Sequence, residues 1–287
     1  MEYNIEKFGE KFKEIRQNKH LSQKEVCGKE ISRTTLSKFE NGGRSMNIHH
    51  FLRLLERIDM SFDEFSYICS DYTLKPKKQI VADFLSLYSN YDIQSITKLI
   101  KDSENYLAIS DNWYVKAILE VSHAYLQDQK DTPDLINATA TKIIPMVWEE
   151  LSKQDEWYLL DLRLLNAILY SFPIETTGQI AKEVKKRIGK YQNFTQVLPL
   201  ITALYLNLSL LYLQNNKSEK AENILSEAKN LAYQLKRTDF LAVALVRHGI
   251  ATKNKQEMEQ GVLLSTFLQD KNLQKELQEE VENLSIA

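Results

Sequence analysis

Apolar residues recur three and four positions apart along most of this chain, and that period leaves it little to form but amphipathic helices. The pattern is plainest at Ile80, Phe84, Leu85, Leu87 and Tyr88, at Trp113, Ile118, Val121 and Tyr125, and at Leu160, Leu164, Leu165, Ile168 and Leu169. No apolar–polar alternation of the kind that makes a half-buried strand lasts more than a few residues. Turn-formers agree: 287 residues hold only 8 Gly and 5 Pro, too few for the many turns of a sandwich or barrel. The fold class expected is all-α. Helix breaks are expected at Ser110-Asp111-Asn112, Asp131-Thr132-Pro133, Phe172-Pro173, Gln192-Asn193 and Gln214-Asn215-Asn216-Lys217. Pro76 marks a junction, because the residue before a proline disfavours helical geometry. The division expected is 1–66 as one domain, 67–78 as a linker and 79–287 as a second.

The first 66 residues read as five short helices. Phe8, Phe12 and Ile15 line the first, which ends near Asn18. Ser22 and Glu25 have capping-box spacing and start a helix from Gln23 to about Cys27. Gly28 can take the positive φ of a tight turn. Ser32 caps a third helix from Arg33 to about Phe39, stopped by Asn41-Gly42-Gly43. Phe51, Leu54, Leu55 and Ile58 form a fourth, and Ser61 to Glu64 opens a fifth. A short turn between the second and third describes a helix-turn-helix.

Charge separates the two parts. Eleven lysines and arginines lie between Lys11 and Arg57 against five glutamates, a local +6 in a chain whose net charge is -2. The remainder therefore carries -8, which fits a nucleic-acid-binding head on a body that does not bind nucleic acid. Overall composition, 43% hydrophobic and 26% charged, is that of a globular protein. Two cysteines, Cys27 and Cys69, make no disulfide framework and suit a reducing compartment. The charged opening MEYNIEKFGEKFKEIRQ does not read as a signal peptide. No apolar run nears the roughly 20 residues of a bilayer span. A cytoplasmic location away from membranes is expected.

LSQKEVCGKEISRTTLSKFENG (residues 21–42), with Arg16 before it, resembles the DNA-binding domain of phage-repressor-like (XRE-type) regulators over residues 6–66. Gly28-Lys29-Glu30 departs from the longer small-residue turn usual there. In such a domain the third helix enters the major groove N-terminus first. That exposes Arg33, Thr34 and, one turn on, Lys38, with Thr35 a lesser candidate. Arg33 could pair bidentately with a guanine and Thr34 could meet a base or a thymine methyl. The resemblance gives Gln23 a phosphate contact at the start of the second helix, and Arg44 a further one.

Beyond residue 79 a tetratricopeptide-like helix pair is legible from Tyr205 to Tyr233. Leu208 and Tyr212 lie on its first helix and Ala221, Leu225 and Ala228 on its second, with Ala221 small enough for close approach. Gly261 occupies the analogous place about 40 positions later. Such pairs stack into a superhelix with a concave face. A helix-turn-helix head on a tetratricopeptide-like body resembles the peptide-pheromone-responsive regulators of Gram-positive bacteria, and most the Rgg/GadR/MutR group. LSQKEV, ISRTTLSKFENG and Trp157 to Asn166 carry that likeness. It implies homodimerisation through the C-terminal domain, promoter control at two half-sites, and quorum sensing through a short signalling peptide held on the concave face.

An extended peptide needs amides for its backbone, an arginine for a carboxylate and an aromatic floor. Asn166 and Asn207 stand mid-helix, where asparagine is unfavourable. Arg163 shares a face with Asn166, Arg247 lies among apolar neighbours, and Tyr170 and Tyr205 could line a groove. Interhelical packing is the competing role for all six. The Leu-rich stretch from Lys271 to Ile286 is a candidate dimer contact. No Walker loop, dinucleotide fingerprint, HExxH or nucleophile elbow occurs, so neither enzyme activity nor a cofactor is expected. No metal site is expected either, since adjacent His49 and His50 point apart on a helix. Cys27 reads as a core thiol rather than a redox sensor. Two alternatives stay open: a regulator without a peptide ligand, and a helical-repeat interaction scaffold.

Overall fold

The computed structural model describes residues 5–43, 45–87, 93–128, 146–169, 172, 174–191, 194 and 197–284. The chain divides into two compact units, Met1–Gln79 and Ile80–Ala287.

The first unit contains α1 (Ile5–Asn18), α2 (Gln23–Cys27), α3 (Arg33–Glu40), α4 (Ile48–Arg57) and α5 (Phe62–Cys69). Local chemistry sets these boundaries. Ser22 and Glu25 form the reciprocal capping box: Ser22 Oγ accepts from the Glu25 N–H, and the Glu25 carboxylate accepts from the Ser22 N–H at 2.6 Å. Ser32, Asn47 and Ser61 cap the next three helices through their side-chain oxygens, at 3.0, 2.8 and 3.1 Å. Each cap satisfies an N–H that the first helical turn leaves unpaired. Gly28 has φ +56°, the left-handed region that favours glycine, and the Arg57 guanidinium packs against it, 2.2 Å from where a Cβ would lie.

Phe12, Leu36, Leu54, Leu55, Ile58 and Phe65 are fully buried at the centre of this unit. Phe8, Phe51 and Phe65 pack around one another with centroids 5.2–5.9 Å apart. Helix α1 crosses α3 at Gly9, where a Cβ would fall 1.8 Å from the Phe39 carbonyl oxygen. The fifth helix runs past residue 66 to Cys69, and α6 (Pro76–Ser86) already begins inside the 67–78 stretch. Proline suits that first helical position because its missing N–H would have had no partner.

The second unit holds the rest of α6, then α7 (Ile93–Leu107) and α8 (Trp113–Asp128). A helix described over 146–152, α9, follows. Next come α10 (Leu159–Ile168), α11 (Ile174–Ile188) and a 3₁₀ turn at Gly189–Tyr191. The unit ends with α12 (Leu198–Gln214), α13 (Ser218–Leu235), α14 (Thr238–Thr252), α15 (Lys255–Phe267) and α16 (Lys271–Leu284). From α12 onward each helix packs on the next, and α14 also touches α12 and α16. This is the stacking of helix pairs. Small residues make it possible. Ala221, Ala228 and Ala232 are buried along α13. A Cβ on Gly261 would meet Val246 Cγ2 at 2.6 Å, and one on Gly249 would meet Met258 Cγ at 2.7 Å. Lys236 and Lys253 take the left-handed conformation that closes α13 and α14, a place more often given to glycine.

Candidate functional site

The first candidate site is the exposed face of α3. Leu36 and Phe39 bury the opposite face, which turns Arg33, Thr34 and Lys38 outward, all three exposed. Thr35 is partly buried; its N–H is capped by Ser32 and its hydroxyl lies 2.8 Å from Ser32 Oγ. Its side chain is therefore held by the cap. Arg44 lies outside the described residues.

Helix α3 is fixed from behind by a buried polar network. Arg16 donates from Nε and Nη2 to the two oxygens of Glu40, at 2.6 and 2.9 Å, and from Nη1 to the Leu21 carbonyl at 2.6 Å. Gln23 donates its side-chain amide to Glu40 at 2.8 Å. One carboxylate at the end of α3 thus ties together α1 and the first residue of α2, and Arg16 extends the network to the α1–α2 turn. Gln23 stands where expected, at the start of α2, with its amide oriented by this network. Cys27 lies beneath, 3% exposed. Burial pushes its thiol pKa up, against the opposing pull of Arg33, Arg16 and Arg57. Burial likewise raises Cys69, to about 11. His49 and His50 have ring centroids 5.9 Å apart, and among the described residues no group of three or more His, Cys, Asp or Glu is placed to hold a metal ion.

The second candidate site lies on α10 and α12. From Leu200 to Leu213, α12 is buried on every side except at Leu200, Ala203, Asn207 and Leu210. These are three and four apart, one open stripe on an otherwise enclosed helix. Asn207 donates its amide to the Asn166 side chain on α10 at 3.1 Å, so the two mid-helix asparagines meet. Arg163 is one turn from Asn166 and partly buried. No hydrogen bond or ion pair to it is present among the described residues, and burial lowers its pKa.

Arg247 and Tyr205 are placed differently from that trio. Arg247, expected to face a ligand, is 4% exposed. It donates to both oxygens of Glu280 on α16, at 2.8 Å from Nε, and to the Leu206 carbonyl on α12 at 2.8 Å. It clamps three helices. Tyr205 is buried, and burial together with a hydrogen bond to Glu227 on α13 pushes its hydroxyl pKa well up; it lies on the enclosed side of α12 rather than on the stripe. Tyr170 lies outside the described residues. Gly9, the Arg16–Glu40 pairing and Glu280 escaped sequence reasoning. Only the arginine and glutamate of the first network stand in the repressor-like motif, and nothing local announces the other two.

Comparison with known proteins follows the same division. Residues 12–65 match the helix-turn-helix family profile. Residues 96–279 match the profile described as "HTH-type transcriptional regulator Rgg, C-terminal domain". Among solved structures, the fold is similar to a Listeria monocytogenes EGD-e protein classed as a transcriptional regulator, with TM-score 0.75 and 20% identity over 97% of each chain. It is also similar to the SHP pheromone receptor Rgg2 of Streptococcus dysgalactiae, with TM-score 0.67 and 16% identity over 96% of this chain and 98% of that one. A third is PlcR of Bacillus thuringiensis, solved in complex with the peptide PapR7 and DNA, with TM-score 0.66 and 14% identity over 95% and 99%.

Proposed function

The chain belongs to the Rgg-type family of helix-turn-helix transcriptional regulators, and from that premise we propose that it is a cytoplasmic homodimer, without enzymatic activity, whose promoter binding is set by a short signalling peptide. The observation that carries the DNA half is the outward face of α3, backed by the Arg16–Glu40–Gln23 network. Arg33 reads a base edge, Thr34 meets a base or methyl group, and Lys38, Gln23 and Arg44 contact phosphates, with Thr35 holding the cap. A dimer carries two such helices to two half-sites about one helical turn apart. Among the described residues no helix is long and apolar enough to cross a membrane.

The peptide half rests on the α10–α12 stripe. Arg163 faces a ligand carboxylate and the Asn166–Asn207 pair bonds to peptide backbone, while Tyr205 and Arg247 hold the floor beneath; Tyr170 is a further aromatic contact for the peptide. A lone arginine partly withdrawn from water is costly unless something anionic reaches it. Peptide binding then shifts the balance between arrangements of the two heads.

Isothermal titration with short hydrophobic peptides encoded near the gene tests this reading. Saturable heat that Arg163→Met and Asn207→Ala each abolish, with helicity unchanged, supports it. Absence of heat with any such peptide leaves a regulator without a peptide ligand.

A further inference from the structure

Helix α10, which carries Arg163 and Asn166, has only ten residues, and both of its ends are held by hydroxyl groups from one neighbouring helix. At its N-terminal turn Asp161 is 1% exposed. One Asp161 oxygen accepts the Tyr158 N–H at 2.8 Å, and the other accepts the Tyr114 hydroxyl at 2.7 Å. Burial first, and then the bond to Asp161, pushes the Tyr114 hydroxyl up to about 12, so it stays a donor at neutral pH. In the last turn of α10 the Tyr125 hydroxyl donates to the Ala167 carbonyl at 2.9 Å, where carbonyls lack a partner within the helix. Tyr114 and Tyr125 stand about three turns apart on α8 and so share a face. Arg163 and Asn166 lie between the two points of attachment.

We propose that Tyr114 and Tyr125 are positioning residues of the peptide site: their two hydroxyls set the rotation of α10 and thereby align Arg163 and Asn166 with Asn207. This rests on the reading that the α10–α12 stripe holds a peptide. A helix tied at one point can still turn about its own axis. Ties at both ends, each away from that axis, stop it. The alignment is sensitive to such a turn. On a helix 10–12 Å across, a rotation of about 20° carries side-chain tips by roughly 2 Å. That is enough to part the Asn166 and Asn207 amides, which meet through one hydrogen bond of 3.1 Å. It also exceeds the roughly 0.5 Å within which binding groups must be held. Arg163, partly buried, is aimed by the placement of α10, since no hydrogen bond or ion pair among the described residues holds it. Both tyrosine rings pack against the core of the second unit, so ring and hydroxyl have separable roles.

The test uses the full-length protein and Tyr114→Phe/Tyr125→Phe, which keeps both packed rings and removes only the hydroxyls. The first readout needs no peptide. In an Asn166→Cys/Asn207→Cys background a disulfide between α10 and α12 should close under mild oxidant. Adding the two tyrosine substitutions is expected to slow that closure about fivefold or more. The second readout is isothermal titration with the synthetic short hydrophobic peptides encoded near the gene, where the tyrosine variant should bind about fivefold or more weakly. Ile118→Val serves as the control. It trims a fully buried side chain on the same helix, touches neither hydroxyl, and is expected to change neither readout. Unchanged closure or unchanged peptide affinity in the tyrosine variant overturns the positioning role, as does equal slowing by Ile118→Val. If no peptide gives heat with wild type while closure still responds to the hydroxyls, the peptide reading falls and the anchoring of α10 stands.

Discussion

Arg16 and Glu40 form a bidentate ion pair in the interior of the first unit, with side-chain exposures of 8% and 0%. They lie 24 residues apart in sequence, and their pairing sets where α3 stands relative to α1. Removing one partner of a buried pair leaves a desolvated charge, which costs about 3–5 kcal/mol. Glu40→Gln is expected to destabilise the first unit by that order. Urea unfolding followed by hydrogen exchange of α1 and α3 amides measures it; unaltered protection would contradict the assignment.

Gly9 faces backbone, not a yielding side chain. A methyl group placed 1.8 Å from the Phe39 carbonyl oxygen can be accommodated only by moving α1 off α3. Gly9→Ala is expected to cost at least the 1–3 kcal/mol or so of an overpacked core, and to weaken DNA binding without touching a DNA-facing residue. Thermal unfolding and anisotropy report the two effects separately.

The Arg247–Glu280 pair does for α16 what Arg16–Glu40 does for α3. With the guanidinium 4% exposed and the carboxylate residue 8%, Glu280→Gln should release α16 from α14 and raise its exchange rate and protease sensitivity. The double replacement Arg247→Met/Glu280→Leu should recover part of the loss, because no buried charge then remains unpaired.

Glu257 supplies a pH dependence. Burial alone would raise its carboxyl pKa, but hydrogen bonds and charge from Lys229 and His248, at 2.9 and 2.5 Å, outweigh burial and lower it below the ordinary glutamate value of 4.5. A folded-state pKa below the unfolded one contributes stability that is present above the unfolded pKa and is lost as pH falls through the folded one. The α13–α15 region should therefore be stable at neutral pH and lose this contribution as pH drops below about 4.5. Glu257→Gln should flatten that part of the acid-unfolding curve.

The head was legible because its signals are local. Ser22 with Glu25, Ser32 ahead of Arg33, and Gly28 at the turn each act within one helical turn, and the structure has each where the spacing puts it. The helical-repeat body was legible through its small residues, since Ala221 and Gly261 are needed wherever two helices approach closely. Gly9 was not, because a glycine inside a helix does not disclose which backbone crosses it. The apolar neighbours of Arg247 suggest a ligand contact; its partner lies 33 residues away on another helix, and no periodicity points to it. The Asn166–Asn207 meeting could be anticipated only as two unfavourable mid-helix residues wanting partners. Arg163 kept its place near them because no acid among the described residues claimed it.

The most direct test of the whole account is the salt dependence of binding to a genomic fragment selected by the wild-type protein. Arg33→Ala should cost about 1–3 kcal/mol and relax preference at one base position, while Lys38→Ala should weaken all sequences alike and lower the log–log salt slope by about 1. Both variants binding with wild-type affinity, slope and sequence preference would contradict the assignment of α3 as the helix that reads DNA.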